Sequence, residues 1–86
     1  MNHQSLENLD ELILEEKRLV AQEHFLNAWE AGLIDGIEAD IIAKELITGA
    51  LRQLTESLGE EETTRMIEQL KLQDLEGEFI ANKTVQ

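Results

Sequence analysis

The chain reads as an all-α protein, a small bundle of three main helices, and three observations predict this. Leu, Glu, Ala and Gln, all strong helix formers, dominate its 86 residues. Proline is absent, so nothing along the chain forces a helix to break. No run alternates apolar and polar residues with the period of two that marks a half-buried strand.

The first helix has two candidate caps, Ser5 and Asn8. Asn8-Leu9-Asp10-Glu11 sets an Asn cap three residues before a Glu, in the manner of a capping box. Residues 1–4 are expected to be disordered. From Asn8 the helix is expected to reach about Ala31, with Gly32 as its left-handed stop. That length, about 36 Å at 1.5 Å per residue, is more than a chain of this size easily covers. The apolar side also moves along it. Leu6, Leu9, Ile13 and Val20 share one side, flanked by Leu12 and Leu19, whereas Ala21, Phe25, Ala28 and Trp29 lie roughly 90–120° away. Either the helix kinks near Val20, or it is continuous and its N-terminal half packs on another chain; the second reading is preferred.

Leu33 and Ile34 are expected to cross the turn, and Asp35, with Glu38 at the capping-box position, to cap the second helix. That helix runs to Leu58 and is the expected core. Ile42, Leu46, Ala39, Ala50, Ala43, Leu54, Ile47, Leu58 and Leu51 fall on an arc of about 180°, wider than the stripe of an ordinary surface helix. Leu46, Ile47, Ala50 and Leu54 are therefore expected to be nearly fully buried, with Phe25, Trp29, Met66, Ile67 and Leu70 around them. Gly49, in mid-helix, suggests a second helix crossing closely there.

Gly59 ends the second helix. Glu60, Glu61 and Glu62 then occupy the first turn of the third, where the positive end of the helix dipole favours carboxylates. Met66, Ile67 and Leu70 form one stripe, while Leu72, Leu75 and Phe79 fall on another side. A bend or break near Leu72 and a stop at Gly77 are expected, followed by a disordered tail over 81–86. No internal repeat or linker divides the chain, so residues 1–86 are read as a single helical domain.

Charge bounds the partners. Nineteen Asp and Glu against seven Lys and Arg give a formal charge of −12, spread over all three helices. A field of this sign repels phosphate, which argues against direct nucleic-acid binding. It equally disfavours anionic membrane surfaces, which attract Lys and Arg. The N-terminus lacks a basic region followed by an apolar run, and no apolar stretch is long enough to span a bilayer. Cytoplasmic location is the resulting expectation.

Each site chemistry fails on residue type or spacing. Cysteine is absent, which removes disulfides and thiolates, and two histidines twenty-one positions apart do not make a zinc site. Placing Gly36 at the sixth position of a calcium loop puts Ala31, Leu33 and Ile42 at ligand positions, and none offers a side-chain oxygen. The residue three before His24 is Ala21, so the Glu-x-x-His pair of di-iron bundles is missing. Ser5, Ser57, Thr63 and Thr64 are explained as helix-end residues. The second helix exposes Lys44, Thr48, Arg52 and Thr55 among glutamates, which does not suit a recognition helix. No metal, cofactor or catalytic residue is predicted, and the chain is read as a non-enzyme.

What remains is a small acidic protein–protein interaction or assembly module, a regulator or adaptor. The alternative is an acidic imitator of nucleic acid that inhibits a basic partner. A homodimer or small homo-oligomer is expected, with Leu6, Leu9, Leu12, Ile13 and Val20 as the interface. Glu16 interrupts that stripe, which favours a short antiparallel or crossed contact over an extended parallel coiled coil.

Overall fold

A computed structural model describes residues 3–80, with side chains from residue 8 onward. Three helices follow one another: α1 (His3–Ile34), α2 (Ala39–Leu58) and α3 (Glu60–Leu75). No strand occurs among the described residues. The fold class is all-α, as the composition predicts. The expectation of disorder at residues 1–2 and 81–86 lies outside the described residues, whereas His3 and Gln4 already belong to α1. Ser5 and Asn8 therefore both lie inside the helix and not at its N-cap position. The residues before Asn8 include good helix formers and continue the helix upstream.

α1 is one uninterrupted helix of 32 residues, about 48 Å long at 1.5 Å per residue. It does not break near Val20. Nor does it stop at Gly32: Leu33 and Ile34 form its last turn, and the left-handed residue is Gly36, with φ at +83°. Ile37 N–H donates to the Gly32 carbonyl at 3.1 Å and Gly36 N–H to the Leu33 carbonyl at 3.0 Å. This pair of bonds is a Schellman motif, and it satisfies carbonyls that the helix end would otherwise leave open. Because residues 35–38 are spent on the turn, Asp35 does not cap α2. The first bonds of α2 run to the carbonyl of Glu38, from Ile41 and Ile42 N–H, each at 3.1 Å.

The chain groups into two compact units, residues 1–44 and 45–86, with α2 beginning in the first and continuing into the second. In the first unit, Gly32 has a different use from the one its sequence position suggests. A Cβ built on it would lie 2.7 Å from Ile42 Cδ1 and 3.0 Å from Cγ1. The missing side chain is what admits Ile42, which at 7% exposure is the buried apolar residue of the described chain. Nearby, the Phe25 and Trp29 rings pair with centroids 5.8 Å apart, and Trp29 is half-buried.

In the second unit α2 and α3 are joined through Gly59 alone. Its N–H donates to the Thr55 carbonyl at 2.9 Å, and its own carbonyl accepts from Thr63 N–H at 3.3 Å. Its φ of 97° and ψ of 171° belong to a region essentially reserved for glycine. Glycine offers no side-chain cap, and the three carboxylates of Glu60, Glu61 and Glu62 complement the α3 dipole instead. Buried Thr63 meets half-buried Thr55, their hydroxyls 2.7 Å apart, beside the carbonyls of Gly59 (3.1 Å) and Leu51 (2.9 Å). Each hydroxyl has one proton, so one donates along its own helix while the other donates across.

α3 continues through Leu72 without a break to Leu75, and Gly77, with φ at +84°, is the left-handed residue that stops it. A second Schellman pair closes it, from Glu78 N–H to the Gln73 carbonyl and Gly77 N–H to the Asp74 carbonyl.

The expected core does not form. Leu46 and Leu54 are only half-buried, while Ala50, Ile47, Phe25, Met66, Ile67 and Leu70 are exposed. An arc of 180° needs neighbours on two sides, and the exposure of Ile47 and Leu58 shows that part of it goes uncovered. At Gly49 the expected close crossing is not seen among the described residues, none of which comes within 4 Å of where its Cβ would stand.

Candidate protein interface

Uncovered apolar surface is greatest on α1. No residue from 8 to 28 is even half-buried. Within that stretch lie Leu9, Leu12, Ile13 and Val20, four of the five residues that the sequence marks as an interface, and all four are exposed, Leu12 at 67%. Leu6, the fifth, belongs to α1 but lies outside the residues whose side chains are described.

Continuity of α1 extends this surface beyond the predicted set. Leu12, Leu19, Leu26 and Leu33 recur every seventh residue, with Ile13, Val20 and Ile34 beside three of them, and every one is exposed. Seven residues on an α-helix fall about 20° short of two full turns. The leucines therefore line up as one slowly drifting ridge. Reading for a change of face near Val20 hides this ridge; the strict spacing of the leucines reveals it. Both patterns hold, because the C-terminal half of α1 carries the ridge and, roughly 80° further round the cylinder, the adjoining face of Phe25, Trp29 and Gly32.

Beside the ridge, around Ile13 and Val20, a shallow open depression formed by α1 alone is lined by these two with Glu16, Lys17, Ala21 and His24. A hollow on a single helix encloses no small molecule. Arg18 pairs with Glu15 at 2.7 Å, whereas neither Glu16 nor Lys17 has an ion-pair partner among the described residues.

Elsewhere the surface is acidic and solvated. Every described carboxylate is exposed, so none sits in the apolar surroundings that separate a general acid from a general base. Among the described residues no cluster of three or more His, Asp or Glu is placed to hold a metal ion. None of the helices there is long and apolar enough to cross a membrane. No protein-family model, curated protein or solved structure matches this chain.

Proposed function

We propose that the chain is a small acidic helical interaction or assembly module, working in the cytoplasm without catalysis, that docks another protein through the α1 ridge. One observation carries the reading: 21 consecutive residues of α1, from 8 to 28, lie open to solvent and include eight large apolar side chains. An isolated helix is marginal in water, and helices in proteins draw most of their stability from packing an apolar face. A contiguous apolar patch on a soluble protein marks an interaction surface. The acidic remainder keeps such a module soluble and turns nucleic acid away.

The test compares two substitutions that add the same charge to α1. Leu19→Asp places a carboxylate on the ridge; Leu14→Asp makes the same change on a side of the helix about 140° away from Leu19, where Leu14 is likewise exposed. The reading predicts that the first abolishes association with any partner chain and the second leaves it intact. Equal behaviour of the two variants contradicts a ridge-mediated contact. Raising salt from 0.1 M to 1 M, which shortens the Debye length from about 10 Å to about 3 Å, should leave most of the association in place. An acidic imitator would instead lose its partner.

A further inference from the structure

Resting on that reading of α1, we propose that the chain covering the ridge is a second copy of this protein, its α1 packed antiparallel with Leu9 against Val20 of the other copy. The ridge is complementary to itself in one register. Taking Leu6, Ile13 and Val20 as one line of a heptad and Leu9, Glu16 and Glu23 as the other, an antiparallel pair sets members of the first line against members of the second. Placing Leu9 opposite Val20 brings Ile13 opposite Glu16, and the two-fold axis repeats both contacts. In the same register Leu12 flanks Leu19 on one side of the seam, and Asp10 flanks Lys17 on the other, again twice.

Charge complementarity selects this arrangement. Asp10 and Lys17 are exposed, and neither has an ion-pair partner among the described residues. Parallel pairing in register would set Glu16 against Glu16 and Glu23 against Glu23 inside the seam, and like charges facing one another there oppose association. The antiparallel register gives Lys17 a carboxylate and sets Glu16 against Ile13, where its side chain can lay its stem along apolar surface and keep its head in water. An 86-residue chain without cysteine has no disulfide to staple it, and oligomerisation is one of the routes by which small scaffolds are stabilised.

The absence of cysteine makes the test clean. Leu9→Cys and Val20→Cys are prepared separately, then mixed and treated with a short thiol cross-linker. Antiparallel pairing predicts a cross-linked heterodimer in the mixture and almost none in either variant alone, because like positions then stand about 16 Å apart along the axis. Efficient cross-linking of each variant with itself overturns the orientation while leaving the docking reading intact. In the same register Lys17→Asp should weaken association about tenfold, and adding Asp10→Lys to it should restore most of the loss; failure of the double variant to recover counts against the register. No cross-link in any sample, with a light-scattering mass of one chain at high micromolar concentration, overturns self-pairing. Amide exchange then separates the two ideas. Free exchange over 8–28 leaves the ridge open for a different protein, so the docking reading stands without self-pairing, and full protection in the lone chain defeats the docking reading as well.

Discussion

The two ends of α1 contrast. Toward Ile34 the helix is closed by a Schellman motif and touched by Ile42 through the gap at Gly32. From 8 to 28 the same helix has no residue even half-buried, although eight large apolar side chains lie along it. Local signals that start, stop and turn a helix are thus satisfied within the chain, whereas burial, which stabilises a helix most, is not. The difference teaches that this sequence specifies its helices locally; in the function proposed above, the cover for α1 comes from another chain.

Breaking the well-built end should have the largest effect. Ile42→Ala removes the buried apolar contact at Gly32 and should lower stability by about 2–4 kcal/mol, read as a drop in the thermal midpoint. A melt matching wild type would mean that the turn is held by its backbone bonds alone. Gly36→Ala forces a side chain into the left-handed region at φ +83° and should cost about 1–2 kcal/mol. The second unit offers a smaller change. Thr63→Val deletes the hydroxyl bond to Thr55 and should cost about 1 kcal/mol; Thr55 keeps the Leu51 carbonyl, so a loss several times larger would point to wider rearrangement of the α2–α3 corner. Smallest, and opposite in sign, is Gly49→Ala. With open space where its Cβ would stand, the better helix propensity of alanine should raise stability by about 0.5–1 kcal/mol. A loss there would reveal a second chain crossing at Gly49.

Stops were legible where glycine coincided with a helix end. Gly59 and Gly77 both appear in the sequence as terminators and act as such, and the glutamate run after Gly59 marks the start of α3. Gly32 misled because a glycine that admits a neighbour's side chain looks the same in sequence as one that ends a helix. Asp35-Gly36, three residues later, carries the real turn. The Thr55–Thr63 bond was invisible, since two threonines eight residues apart meet only once Gly59 fixes the corner between α2 and α3. The core failed for a related reason. Periodicity shows which residues seek burial but not whether their neighbours belong to the same chain. That same limit made the α1 stripe readable as a surface, and Leu9, Leu12, Ile13 and Val20 are exposed on it.

Whether another chain covers α1 is tested most directly by light-scattering mass across a dilution series, with helix content followed on the same samples. The account predicts a mass of two or more chains at high micromolar concentration, falling toward one on dilution, with helix signal lost in step as residues 8–28 are uncovered. A mass of one chain throughout, with helix content unchanged, would contradict it.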